Sequence, residues 1–167
     1  MRRSHFIEKY KITDKLPASP DNSVIAVYDF VNETNKFLSE NFAGLIRIET
    51  DLTSYEHIRL SIDHIIYFFK LVITNIHAKS LVNVNFSCNN FGFSIKISAD
   101  GGLPIEDFEM RDLIRAARNA GFSARRADDG LLLTKAVLTA KALSVFAKII
   151  VKSGVLTKRF AEMFFGE

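Results

Sequence analysis

Hydrophobic positions along this chain switch between periods near 3.6 and near 2, and each switch marks an element. Residues 1–22 hold no period and carry Pro17, Pro20 and Asp21-Asn22, which predicts an arm followed by a turn. Ser23 then reads as an N-cap, and Val24, Val27, Val31, Phe37 and Leu38 recur at helical spacing until Gly44 stops them. Leu45 to Thr50 is short and β-branched, and predicts a strand. Ile58, Ile62, Ile65, Ile66, Phe69, Ile73 and Ile76 form a second helical stripe, long enough for a central core helix.

From Leu81 the period becomes two. Val82, Val84, Phe86 and Cys88 alternate with Asn83, Asn85 and Ser87, and Asn89-Asn90 makes a turn. Phe91, Phe93, Ile95 and Ile97 then alternate with Gly92, Ser94, Lys96 and Ser98. This is an antiparallel hairpin with one face apolar and the other open to water. Ala99 to Pro104 is a Gly-rich loop, and Asp107 to Ala120 predicts a helix ended by Gly121. Phe122 to Gly130 reads as a polar, mobile loop and Leu131 to Leu143 as a further helix. Val145 to Lys152 and Val155 to Phe165 read as a closing hairpin. Runs of strands broken by helices give an α+β class. The expected architecture is a two-layer α/β sandwich with a mixed, mostly antiparallel sheet of about five strands and helices on one face. The arm is residues 1–22 and the domain residues 23–167.

Composition narrows the function classes. The 167 residues are 48% hydrophobic and 25% charged, as in an ordinary globular domain able to build its own core. The single cysteine, Cys88, forms no intramolecular disulfide and no cysteine zinc cluster, and its place on the apolar side of a strand predicts an inert thiol. A cytoplasmic protein is expected. The apolar runs are interrupted by Lys70, Thr74 and Lys148, so no membrane span is expected, and charges follow the N-terminus too soon for a signal peptide. A net charge of +3 is small for a chain that lives on phosphate contacts, and no nucleic-acid partner is expected. Arg111, Arg115, Arg118, Arg125 and Arg126 are concentrated but interleaved with Glu106, Asp107, Glu109, Asp112, Asp128 and Asp129, the pattern of a solvated face. His5, His57, His64 and His77 have no zinc spacing. No nucleophile elbow and no Walker-type loop is present.

Three short segments carry a likeness. The second helix ends Leu71-Val72-Ile73-Thr74-Asn75-Ile76-His77-Ala78-Lys79-Ser80. The loop after the hairpin reads Ser98-Ala99-Asp100-Gly101-Gly102-Leu103-Pro104, and Asp129-Gly130-Leu131-Leu132-Leu133-Thr134-Lys135 follows. With the order of elements over residues 23 to 165, they resemble the ATP-binding domain of the GHKL superfamily, shared by gyrase, the heat-shock chaperone, sensor histidine kinases and anti-sigma kinases. That resemblance implies ATP and Mg²⁺. Asn75 falls on the family's metal-binding Asn. Asp100 and Gly102 fall near its adenine loop, while Gly130, with Arg125 or Arg126, would approach the phosphates at a helix N-terminus. Ser153-Gly154 and Thr157-Lys158-Arg159-Phe160 resemble its last hairpin. Glu56-His57-Ile58-Arg59-Leu60-Ser61 is faintly similar to a phosphoacceptor segment, but lies inside the domain and not upstream of it.

Three positions depart from the family. Leu71 stands where it has Asn or Glu, Ser98 where it has the adenine-binding Asp, and Leu132 where it has the second glycine. Two functional readings follow: a histidine-kinase-like ATP-binding domain in bacterial signal transduction, or a degenerate module of that fold that binds a signalling protein and no ATP. An unrelated α+β domain is the third reading. A signalling protein partner is expected and a homodimer is open.

Overall fold

A computed structural model describes residues 22–75, 81–145 and 150–166. The elements in order are β1 (Ser23–Ala26), α1 (Val27–Asn41), β2 (Ile46–Leu52), β3 (His57–Leu60), α2 (Ile62–Asn75), β4 (Val82–Asn89), β5 (Gly92–Ala99), α3 (Asp107–Asn119), β6 (Ser123–Ala127), β7 (Gly130–Lys135), α4 (Ala140–Val145) and α5 (Val155–Phe165). The main sheet runs β2-β4-β5-β7-β6, and β1 pairs with β3 in a second, two-stranded sheet. Only β2 and β4 are parallel; the other main-sheet pairs are antiparallel. This is the expected α+β sandwich with a five-stranded mixed sheet.

The alternation of β4 and β5 sets its two faces. Val82, Val84, Phe86 and Cys88, with Phe93, Ile95 and Ile97, are buried against the helices, while Lys96 on the opposite face is exposed. The core is built from phenylalanine, of which the chain has 15 and no tryptophan. Phe30 meets Phe86 and Phe93 edge-on at 6.2 and 5.8 Å. Phe37 of α1 stacks on Phe160 of α5 at 4.7 Å, with Phe164 at 5.1 Å. Each such pair adds about 1 kcal/mol beyond the area it buries.

Several sequence expectations are corrected. Ser23 is not a helix cap. Ser23 to Ala26 form β1, paired with β3 in the register Ser23↔Leu60. The uninterrupted buried run Val24-Ile25 suits a strand covered on both sides, and α1 starts only at Val27. The second helix likewise starts at Ile62, because His57 to Leu60 are taken by β3. Phe122 to Gly130 is not a mobile loop, nor is Leu131 to Leu143 a helix. Ser123 to Ala127 and Gly130 to Lys135 form the antiparallel hairpin β6–β7, and β7 is held in the sheet by pairing with β5, Ile97↔Leu131. Val155 to Phe165 is helix α5 and not a strand. Val145 closes α4, and Ile150 makes only an isolated bridge to Val24. The strand count therefore agrees with expectation while two members of the sheet differ. The expected arm, apart from Asn22, lies outside the described residues, as do Ile76 to Ser80 at the end of the second helical stripe.

Helix α5 is fastened at its start by two acidic side chains. Glu33 of α1, buried, accepts the backbone N–H groups of Gly154 and of Thr157, the latter at 3.1 Å, and the Ser153 hydroxyl at 3.3 Å. Arg159 donates from Nη2 to both carboxylate oxygens of Asp63 at 2.6 Å. The first attachment supplies the acceptor that an α-helix N-terminus lacks, and the second ties α5 to the start of α2.

Candidate functional site

The end of β5 makes the most distinctive local geometry. Gly101 and Gly102 both sit at left-handed φ, +78° and +93°, with open space where a β-carbon would go. Their glycines are required by the turn, which closes through the Gly102 N–H to the Ala99 carbonyl at 2.9 Å. Asp100 is exposed at its tip. The Ala99 N–H donates to the Asp129 carbonyl at 3.3 Å, which brings the β6–β7 turn alongside. Between them lies a cleft of about 90 Å³, lined by Gly102, Leu103, Met110, Arg126, Asp128 and Gly130.

Gly102, Arg126 and Gly130 therefore come together, as their place in the sequence suggested. The others do not. Arg125 pairs with Leu132, which pairs with Lys96, so it belongs to the open face of the sheet. Arg126 pairs with Leu131 and Ile97 on the helix-covered face. Adjacent residues of a strand point to opposite faces, so only one of the two arginines stands by the cleft. Asn75 ends α2 and is not among the residues lining it.

Gly130 is corrected in kind as well as in surroundings. It opens a strand and no helix follows it, so no helix N-terminus is presented there. A β-carbon at Gly130 would stand 1.9 Å from the Ile97 carbonyl oxygen, and the glycine is required by the approach of β7 to β5.

The helix that does follow the Gly-rich loop is α3, and its N-terminus is acidic. Glu109 accepts the backbone N–H of Glu106 at 3.1 Å, and Asp107 pairs with Arg126 at 2.9 Å. Both partners of that ion pair are more than half exposed, so it contributes little. Reading the sequence for single residues missed Leu103, Met110 and Asp107. The spacing Glu106-x-x-Glu109 ahead of an amphipathic run is the signal of a self-capped helix start that could have found the last of these.

Three groups off the cleft have chemistry that needs accounting. The Ser61 hydroxyl and His64 Nδ1 are 3.0 Å apart, a nucleophile-like pair, but both residues are buried at the start of α2. Burial lowers the His64 pKa below its ordinary 6.5, and the Asp63 charge opposes this only in part. The unfolded chain therefore binds the proton more readily, and His64's contribution to stability is full above pH 6.5 and lost as pH falls below it. Urea midpoints measured between pH 8 and pH 5 should fall toward acid, and His64→Gln should flatten that dependence. An unchanged slope would mean that His64 is not the group responsible. Lys135 Nζ donates to the Gly121 carbonyl at 2.6 Å and lies 5.7 Å from the Phe122 ring centroid, a cation at the C-terminal end of α3. Its pKa is lowered by burial and, second, by Arg59. Cys88 is buried, and burial, followed by Glu56, pushes its thiol pKa up, as expected of an unreactive cysteine.

No family model matches this chain, and no curated protein does. Among solved structures it is similar to the cytoplasmic segment of the histidine kinase QseC, with 12% identity over 81% of this chain and 89% of that one and a TM-score of 0.43. It is also similar to a histidine kinase from Burkholderia phymatum STM815, with 15% identity over 72% of each chain and a TM-score of 0.40. No described helix is long and apolar enough to cross a membrane.

Proposed function

We propose that this chain is a domain of the histidine-kinase ATPase type that has lost nucleotide binding and acts in signal transduction by binding another protein. The order of its elements and the segment Gly102-Leu103-Pro104 support the kinase-type part of this reading. The observation that carries the loss is the acidic start of α3 beside the Gly-rich loop. A triphosphate approaching the start of α3 would meet Glu106, Asp107 and Glu109, and like charges a few ångströms apart repel by about 1 kcal/mol or more even in water. Leu71, one turn before Asn75, is buried and offers no ligand to a metal.

The test is titration calorimetry of the purified protein with a non-hydrolysable ATP analogue, with and without Mg²⁺, beside thermal melts. No heat and no rise in Tm are expected at millimolar analogue. A ligand present at 100 times its Kd would stabilise the protein by about 2.7 kcal/mol, a shift of several degrees that a melt resolves. Micromolar, Mg²⁺-dependent binding would overturn the reading.

One observation favours ATP binding instead. Asn75 is 6% exposed, and its Oδ1 has no hydrogen-bond partner among the described residues. A buried unpaired oxygen costs about 1–3 kcal/mol and calls for an explanation, of which a bound cation is one. On this reading the Mg²⁺-dependent part of the titration exists, and Asn75→Ala removes it.

A further inference from the structure

Helix α3 has a solvent face that carries one aromatic ring and three arginines. Its buried side carries Met110, Leu113, Ala116 and Ala117. Opposite them, Phe108, Arg111, Arg115 and Arg118 are all exposed. At about 100° per residue these four lie within an arc of about 80°, a stripe that runs the length of the helix. Phe108 is 54% exposed, an aromatic ring placed in water at the head of the stripe. None of the three arginines makes an ion pair or hydrogen bond among the described residues. Of the nearby carboxylates, Asp107 holds Arg126 and Glu109 holds the start of the helix, while Asp112 is exposed beside the stripe.

Three guanidinium groups, unpaired among the described residues, beside one exposed ring are of the residue types enriched at the hot spots of protein–protein interfaces. We propose that this face of α3 is a docking surface, and that its partner is a protein surface presenting carboxylates around one apolar side chain. The proposal rests on the reading of the chain as a protein-binding module and gives that partner its chemistry. Carboxylates match the arginine fork, and the apolar side chain covers Phe108. A polyanion such as nucleic acid is disfavoured by a net charge of only +3, small for a surface that lives on many phosphate contacts.

The experiment is an anisotropy titration of the whole chain with a labelled helix-forming peptide carrying Glu at i, i+4 and i+7 and a Leu one turn before them. Its counterpart with Gln at those positions and a labelled single-stranded DNA are run beside it. The acidic peptide should bind and weaken as salt rises. Replacing all three arginines, as Arg111→Gln, Arg115→Gln and Arg118→Gln, should weaken binding about tenfold, the sum expected of three exposed charge pairs. Phe108→Ala should weaken it by a similar factor, about tenfold. All four positions are exposed, so the variants should melt with the parent protein. Failure of the acidic peptide to bind, equal binding by the triple variant, or tighter binding of the DNA than of the peptide overturns the proposal. The ATP titration on the same preparation separates the two readings. If neither analogue nor peptide binds, the α3 surface falls and the ATP-free reading stands; if both bind, the reverse holds.

Discussion

Gly130→Ala should destabilise the protein by about 3 kcal/mol and lower Tm by roughly 6–12 °C, with no ligand present. The added β-carbon would stand 1.9 Å from the Ile97 carbonyl oxygen and 2.9 Å from Ser98 Cα. Those are backbone atoms of the neighbouring strand, so no side chain can swing aside to make room. Relief requires β7 to move away from β5 where Gly130 pairs with Ser98, and the β6–β7 hairpin hangs on that pairing. Gly102→Ala is the control. Its β-carbon meets nothing within 4 Å, and the left-handed φ of +93° alone should cost about 1–2 kcal/mol. Urea unfolding of both variants checks the order. Equal losses would mean that β7 does not press on β5 as described. The comparison also bears on function, because both glycines resemble nucleotide-approach residues and only one owes its identity to the packing of the sheet.

Removing Glu33 should cost nearly as much. Glu33→Ala leaves the Gly154 and Thr157 amides and the Ser153 hydroxyl without their acceptor, at the N-terminus of a helix whose Phe160 and Phe164 are fully buried. Hydrogen bonds to a charged group contribute about 1.5–3 kcal/mol, and a loss of about 2–3 kcal/mol is expected after water reaches part of the exposed end. Glu33→Gln should lose about half of that, since one carbonyl oxygen still accepts but the charge facing the helix start is gone. The surface pair Lys96–Asp129, at 3.2 Å but with both side chains nearly half exposed, sets the scale from below: Lys96→Ala should change stability by less than about 0.5 kcal/mol. If Glu33→Ala falls in that lower range, α5 is held by its phenylalanines alone.

The hairpin β4–β5 was legible from the sequence because its strand residues answer to one medium each, Val, Phe and Ile to the core and Asn, Ser and Lys to water; Phe91, expected on the apolar face, instead lies in the turn and is 94% exposed. The same match of residue to medium holds for α3 up to Gly121, and the turn at Gly101-Gly102 was legible because the residue type and the backbone angle imply each other; α2 was legible by its long apolar stripe, although it is buried on nearly every side. For this reason the α+β class and the two layers could be read without coordinates. Helix α5 was also written in the chain, as Leu156, Phe160 and Phe164 at intervals of four, but the surrounding apolar residues hid that spacing beneath a strand-like run. What the sequence by itself determined was thus the β4–β5 hairpin, α3 and the core helix α2, whose local patterns admit one period.

The tertiary structure decided the rest. Leu131-Leu132-Leu133 is apolar in either period, and only pairing with Ile97 and Lys96 makes it a strand. Ser123 to Ala127 looks like a loop because an edge strand has one neighbour and few buried positions; its partner β7 supplies the hydrogen bonds that its composition does not announce. Val24-Ile25 became a strand through β3, a partner more than thirty residues away. The candidate site follows the same rule. The residue types at Gly102, Arg126 and Gly130 were visible, but that Arg125 faces away, that Gly130 is filled against by Ile97, and that Glu106, Asp107 and Glu109 guard the start of α3 depend on strand register and helix placement. Those are set by contacts between distant segments, and local pattern carries no record of them.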